Sequence, residues 1–135
     1  NRFKRIIVKG RQAVSTILLV EDDENLRETV HDWLCFEKYR VETAADGLEA
    51  MEQLSVNSFD LIVLDWHLPH LDGIDVLKRY RESGGATPVL LLTGMTDASQ
   101  RDKGISAGAN SYVKKPFQLA ELSKEIKKLL GKSGG

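Results

Sequence analysis

The sequence predicts an α/β fold in which one parallel β-sheet is covered by helices on both faces. Short apolar runs alternate five times with segments whose apolar residues recur at helical spacing. The connections between them are short, which favours a parallel sheet with helical crossovers. The two long central runs, 61–64 and 89–92, are continuously apolar, as strands buried on both faces should be.

Five runs are predicted to be strands. In chain order they are 16–20, 40–43, 60–64, 88–92 and 111–113. Four of them run directly into side chains that could hold a metal ion or a phosphoryl group. In open parallel sheets ligands bind just beyond the carboxyl ends of the strands, so these side chains are expected to converge on one edge.

The first and last predicted helices each have an apolar stripe, because their apolar residues recur at the spacing of helical turns. The stripe residues are Leu26, Val30, Trp33 and Leu34 in the first helix and Leu119, Leu122, Ile126 and Leu129 in the last. Cys35 is the one cysteine, so it forms no internal disulfide. It lies among the apolar residues of the first helix and is predicted to pack there.

Three further helices are predicted between the strands. The second opens with Asp46 and Glu49, which are spaced like a capping box. The third is stopped by Gly84-Gly85. The fourth, from about residue 98 to 107, has few apolar residues to bury.

The composition predicts one soluble, cytoplasmic domain. The chain has 135 residues, is 41% apolar and has a formal net charge of -1. This charge gives no general attraction to nucleic acid or to an anionic membrane. No apolar stretch approaches the roughly 20 residues that span a bilayer. The apolar run 6–8 is too short for a secretory signal.

We expect three segments along the chain. Residues 1–15 have five basic and no acidic side chains and are interpreted as a basic N-terminal extension or linker. Residues 16–130 would form the folded domain. Residues 131–135 have the composition of a flexible C-terminal tail.

Carboxylates follow the first and third predicted strands. Glu21 and Asp22 come after the first strand and Asp65 after the third. These strands usually flank the topological switch point of such a sheet, so the three side chains would face one another. Carboxylates that close repel unless a cation joins them, and Mg²⁺ prefers oxygen ligands. Asp65 is the candidate nucleophile for a phosphoryl group, whereas Glu21 and Asp22 suit metal binding.

A hydroxyl and an ammonium follow the fourth and fifth strands. Thr93 and Lys115 would contact the oxygens of a phosphoryl group and neutralise charge there. Each also has an ordinary interpretation, Thr93 as a turn residue before Gly94 and Lys115 as a solvated lysine. Asp23 or Glu24, likewise, has an ordinary interpretation as a cap of the following helix.

Four motifs occur in order along the chain. They are Leu-Val-Glu-Asp-Asp at 19–23, Leu-Ile-Val-Leu-Asp-Trp-His-Leu-Pro-His-Leu-Asp-Gly at 61–73, Leu-Leu-Thr-Gly at 91–94 and Ala-Gly-Ala-Asn-Ser-Tyr-Val-Lys-Lys-Pro-Phe at 107–117. Together they resemble the receiver domains of two-component response regulators, the CheY-like phosphoacceptors of bacterial signalling. The resemblance covers residues 16–130 and implies a flavodoxin-like, doubly wound (βα)5 sandwich of three layers, with strand order 2-1-3-4-5.

The resemblance implies a signalling function. A histidine kinase, a histidine phosphotransfer protein or a small phosphodonor would transfer a phosphoryl group to Asp65 with the help of magnesium. The protein would not be an enzyme in the metabolic sense, since it would catalyse only its own phosphorylation and autodephosphorylation. Phosphorylation would switch the face formed by the fourth helix, fifth strand and fifth helix. That face would bind a downstream output domain or a second copy of the chain.

The resemblance also implies roles for particular residues. Glu21 and Asp22 match the family's acidic pair, and Asp65 matches its phosphorylated aspartate. The backbone carbonyl of His67 matches a further ligand of Mg²⁺, or of Mn²⁺ as its substitute. Two positions that vary in the family flank the site: Trp66 and Met95.

Further matches concern the phosphoryl oxygens and the switch. Lys115, directly before Pro116, matches the family lysine, and the family's Lys-Pro peptide is typically cis. Thr93 and Tyr112 match the switch pair. In that pair the hydroxyl moves toward the phosphoryl group and the aromatic ring turns inward behind it.

Three other interpretations stay open. A haloacid-dehalogenase-type phosphatase also uses a strand-end aspartate and Mg²⁺, but it needs an acid two residues later, where this chain has His67. A flavodoxin needs hydroxyls and glycines in its first loop, whereas residues 21–24 are acidic. A receiver-like interaction module that takes no phosphate would keep the same fold.

Overall fold

The computed structural model describes residues 14–94 and 98–133. Its strands are β1 (Thr16–Val20), β2 (Arg40–Ala44), β3 (Leu61–Asp65), β4 (Val89–Thr93) and β5 (Ser111–Lys114). They form one parallel sheet in the order β2-β1-β3-β4-β5, which confirms the predicted class and strand order. Residues 1–13 of the predicted N-terminal extension lie outside the described residues.

The helices cover both faces of the sheet. They are α1 (Glu24–Phe36), α2 (Gly47–Val56), α3 (Gly73–Glu82), α4 (Ala98–Ser106) and α5 (Leu119–Ser133). One apolar cluster joins α1 and α5 to one face of the sheet, and a second joins α2 and α3 to the other. Helix α4 contributes one buried residue, Gly104. The result is the predicted three-layer sandwich.

The strands end at a common edge of the sheet, and backbone hydrogen bonds continue past their ends. The N–H of Glu21 donates to the carbonyl oxygen of Ala44 at 3.0 Å. The N–H of Lys115 donates to the carbonyl oxygen of Thr93 at 2.7 Å. The first residues of these loops therefore have a fixed place relative to the neighbouring strand.

Two helices begin near this edge with side-chain caps. Asp23 Oδ1 accepts a hydrogen bond from the N–H of Leu26 at 3.0 Å, so Asp23 has the capping role considered for it. Asp46 Oδ1 accepts from the N–H of Glu49 at 2.8 Å. Glu49 in turn accepts from the N–H of Ala45 at 3.2 Å, one residue earlier than in a standard capping box.

Two local expectations need correction. Helix α5 continues to Ser133, so residues 131–133 are helical rather than part of a tail that begins after Leu130. No proline stands there to stop the helix. Cys35 is exposed rather than packed. It follows the buried Leu34 by one position, which turns its side chain by about 100° away from the buried stripe.

Within the part of the chain that the structure describes, no helix has both the length and the apolar character that crossing a membrane requires.

Candidate metal and phosphoryl site

Three carboxylates lie together at the carboxyl ends of β1 and β3. Glu21 directly follows β1, Asp22 comes next, and Asp65 is the last residue of β3. The two strands are paired with Val20 opposite Leu64, which brings their ends level. One oxygen atom from each of the three carboxylates lies within 4.8 Å of the others. The structure thus brings together the acids that the sequence assigned to one site.

Two of these acids are buried and one is exposed. Glu21 is 1% exposed and Asp65 is 4% exposed, whereas Asp22 lies at the surface. Burying a carboxylate costs free energy unless it has charged or hydrogen-bonding partners. The neighbours of Glu21 and Asp65 therefore determine whether these carboxylates are ionised.

Lys115 is the main partner of the two buried acids. Its Nζ donates to Glu21 Oε1 at 2.7 Å and to Asp65 Oδ2 at 3.1 Å. The peptide bond between Lys115 and Pro116 is cis. The neighbouring Lys114 is exposed, so Lys115 is the lysine whose ammonium reaches the acids.

Burial shifts the protonation of this cluster. It raises the pKa of Glu21 to about 7, although hydrogen bonds from Lys115 and from the N–H of Asp23 act in the opposite direction. Burial also raises the pKa of Asp65, against the hydrogen bond from Lys115. Burial alone would lower the pKa of Lys115, but its hydrogen bonds to Glu21 and Asp65 raise it above its usual value. The ammonium therefore stays charged.

The donor atoms of the site suit a hard divalent cation. Among residues 14–94 and 98–133, this is the one group of three or more candidate metal ligands whose atoms converge. All three candidate ligands are carboxylate oxygens, and the ammonium that faces them is that of Lys115. A bound cation would balance the negative charge that Lys115 leaves uncompensated. Mg²⁺ prefers such oxygen ligands and needs only one or two carboxylates, so the residues present fit it.

The loop between β1 and α1 is held by hydrogen bonds that the sequence did not predict. Arg27 Nη1 donates to the carbonyl oxygen of Glu21 at 2.8 Å. The N–H of Asp23 donates to Glu21 Oε2 at 3.1 Å. An arginine near the start of a helix is usually solvated, so Arg27 gave no signal of this supporting role.

The loop after β3 contains Trp66 and His67. A Cβ on Gly73 would lie 2.2 Å from the carbonyl oxygen of Asp65, so the start of α3 requires glycine. The backbone N–H of His67 hydrogen-bonds to the Asp65 carboxylate, and the His67 side chain is exposed. Trp66 is buried, and its indole lies next to Gly104 of α4. Trp66 therefore borders the site from the core.

The predicted switch residues lie on β4 and β5. Thr93 is the last residue of β4 and is buried. Tyr112 lies in β5 and is half-buried. The guanidinium carbon of Arg101 lies 5.2 Å from the centroid of the Tyr112 ring, a cation–π contact. Met95, predicted to flank the site, lies outside the described residues.

A parallel sheet of order 2-1-3-4-5 with a buried aspartate, an acid pair and a lysine at one edge defines a CheY-like signalling domain. The model of the response regulator receiver domain family matches residues 17–127. The chain belongs to this family, which confirms the resemblance seen in its motifs.

Individual relatives agree with this assignment. The chain is 42% identical over 114 residues to the response regulator MprA of Mycobacterium sp. (strain KMS). These aligned residues cover 84% of this chain and 50% of that protein. The chain thus spans about half the length of the curated relatives it matches.

Two solved structures are similar over nearly their whole length. The chemotaxis protein CheY4 of Vibrio cholerae has a TM-score of 0.82 at 33% identity, covering 87% of this chain and 99% of that one. The receiver domain of the sensor histidine kinase PA1611 of Pseudomonas aeruginosa has a TM-score of 0.80 at 34% identity, covering 88% and 99%. That receiver has a magnesium ion coordinated in its active site cleft.

Proposed function

We propose that this chain is a phosphoacceptor that receives a phosphoryl group on Asp65 in two-component signalling. The donor would be a histidine kinase, a histidine phosphotransfer protein or a small phosphodonor. The supporting observation is the buried Asp65 carboxylate, which shares the Lys115 ammonium with Glu21 at one end of the sheet. The protein catalyses only its own phosphorylation and autodephosphorylation.

The transfer step needs an ionised aspartate and a positive charge beside it. One carboxylate oxygen of Asp65 forms a bond to phosphorus, and the bond from phosphorus to the donor atom breaks with its electron pair staying on the donor. The hydrogen bond from Lys115 at 3.1 Å favours the ionised form of Asp65. Lys115 and the hydroxyl of Thr93 then contact the oxygens of the transferred group.

The acid pair supplies a cation site for this step. Glu21, Asp22, Asp65 and the backbone carbonyl of His67 would hold Mg²⁺, or Mn²⁺ as its substitute. The bound ion screens the negative charge of the approaching donor. The magnesium ion in the similar receiver of PA1611 supports this choice of cation.

We propose that phosphorylation changes the surface formed by α4, β5 and α5. Thr93 stands at the end of β4, and Tyr112 lies on the neighbouring β5 with Arg101 of α4 against its ring. The partner at this surface would be an output domain or a second copy of the chain. The partner would be a protein in the cytoplasm rather than nucleic acid or a membrane. The formal net charge of -1 gives no general attraction to nucleic acid or to an anionic membrane.

Phosphorylation is tested by mass spectrometry of the intact protein. After incubation with Mg²⁺ and acetyl phosphate, the wild-type chain should gain the mass of one phosphoryl group. Asp65→Asn should gain none, because its amide is not a nucleophile, and chelation of Mg²⁺ should prevent the gain in the wild type. An unmodified wild type would contradict the proposal and favour an interaction module that takes no phosphate.

A further inference from the structure

A histidine–aspartate pair joins the loop after β3 to the first turn of α2. His70 Nδ1 lies 3.1 Å from Asp46 Oδ2. The side chain of Asp46 is 17% exposed and that of His70 is 62% exposed, so the carboxylate is largely shielded from water. The other oxygen of Asp46 accepts from the N–H of Glu49 at 2.8 Å. One carboxylate therefore caps α2 and binds the loop.

The two backbones also approach closely at this point. A Cβ on Gly47 would lie 2.0 Å from the carbonyl oxygen of Leu71, so only glycine fits there. The N–H of Gly47 lies toward the carbonyl oxygen of Pro69, with nitrogen and oxygen 3.5 Å apart. The loop thus rests directly on the start of α2.

His70 has a backbone conformation that needs support. Its φ is 69°, in the left-handed region that residues other than glycine seldom adopt. Such a conformation costs free energy and persists where surrounding contacts retain it. The hydrogen bond to Asp46 is one such contact, and it stays available near neutral pH. The pKa of Asp46 is lowered, first by its hydrogen bond from Glu49 and further by His70, so the carboxylate is ionised.

The loop is therefore held at three places. The loop begins at Asp65, the last residue of β3. Its two ends are joined by the hydrogen bond from the N–H of Gly73 to the carbonyl oxygen of Trp66, at 2.7 Å. Between its ends it contacts α2 through His70. His67 lies between these points. We propose that His70 and Asp46 are positioning residues that hold the carbonyl of His67 at the cation site, so that Mg²⁺ affinity depends on this pair. The inference rests on the proposed function.

Two substitutions at position 70 separate the hydrogen bond from the backbone conformation. Glycine and asparagine both tolerate positive φ. The side-chain nitrogen of asparagine is bonded to Cγ, as is Nδ1 of His70. Asparagine at position 70 can therefore also donate a hydrogen bond to Asp46. In calorimetric titrations with Mg²⁺, His70→Gly should bind about fivefold more weakly than the wild type, the loss expected for one hydrogen bond. His70→Asn should stay within about twofold of the wild type.

A double-mutant cycle tests the partner. Asp46→Ser keeps a side-chain cap for α2 but is too short to reach His70. It should weaken Mg²⁺ binding about as much as His70→Gly, and the double variant should be no weaker than either single variant. Urea unfolding without Mg²⁺ measures the stability of each variant separately.

The outcomes divide cleanly. Equal Mg²⁺ affinity in the wild type and His70→Gly, or equal weakening by His70→Gly and His70→Asn, would overturn the inference. A loss of stability in His70→Gly with unchanged Mg²⁺ affinity would show a purely structural pair and would also overturn it. Failure of the wild type to bind Mg²⁺ would instead refute the proposed cation site itself.

Discussion

Glu21 is a residue whose ionisation depends strongly on the fold. Burial raises its pKa to about 7, while Lys115 and the N–H of Asp23 hydrogen-bond to its two oxygens. Glu21 therefore changes from mostly protonated to mostly ionised across neutral pH. A cation that binds at this carboxylate competes with the proton, so its affinity must rise as the proton leaves.

We expect the affinity for Mg²⁺ to rise about tenfold from about pH 6 to about pH 8. Isothermal titration calorimetry at both pH values measures the rise. Glu21→Gln is the matched control, because it keeps the shape of the side chain but cannot titrate. It should bind Mg²⁺ more weakly and with a smaller dependence on pH than the wild type. A wild type that binds equally well at both pH values would contradict the role assigned to Glu21.

Single residues differ in how far the sequence reveals their roles. Glu21, Asp65 and Lys115 follow apolar runs, and parallel strands end at one edge, so the alternation of strands and helices is enough to bring them together. Arg27 and His70 support loops through side-chain hydrogen bonds instead. The partner of His70 lies 24 positions away, and periodicity contains no information about such a pair.

Among the helices, α4 has the smallest contact with the core. Its one buried residue is Gly104, which lies against Leu91 and Trp66. A Cβ on Gly104 would lie 2.8 Å from Leu91 Cδ1 and 3.3 Å from Trp66 Cζ3. Because Leu91 and Trp66 are buried, neither can move away freely. The close fit of α4 therefore depends on the absence of a side chain.

Gly104→Ala should lower the free energy of unfolding by about 1 kcal/mol, because overpacking outweighs the gain in helix propensity. Gly131→Ala is the matched control. It is also helical, but a Cβ there would meet nothing within 4 Å. That variant should be neutral or more stable by up to about 1 kcal/mol. Urea unfolding gives both values, and stabilisation by Gly104→Ala would show that α4 does not pack as described.

Helices and strands were predictable where periodicity is strong and less so at their ends. The stripe of α5 predicts the helix, and Leu122 and Ile126 are fully buried in it. Its end at Ser133 was not predicted, because residues 131–133 are Gly-Lys-Ser and contain no apolar residue that would continue the pattern. The scarcity of apolar residues in α4 correctly predicted its small buried face.

The fold places the proposed phosphorylation site and the proposed switch residues on adjacent strands. β4 pairs with β3 on one side and with β5 on the other. Asp65, Thr93 and Tyr112 therefore lie on three consecutive strands of the sheet. In the proposed switch, a change in the charge at Asp65 would bias the arrangement of Thr93 on the next strand, and through Thr93 the surface formed by α4, β5 and α5.

Beryllofluoride stands in for the acyl phosphate and allows this coupling to be tested without turnover. With Mg²⁺ and beryllofluoride, amide hydrogen exchange should change in α4, β5 and α5, relative to the protein with Mg²⁺ alone. Strand β2, at the far edge of the sheet, should keep its exchange rates, because β1 and β3 separate it from β4 and β5. Asp65→Asn should show no change anywhere, since its amide cannot bind beryllofluoride as a carboxylate does. A wild type that accepts a phosphoryl group but shows no altered exchange in α4, β5 and α5 would contradict the switch while leaving phosphorylation intact.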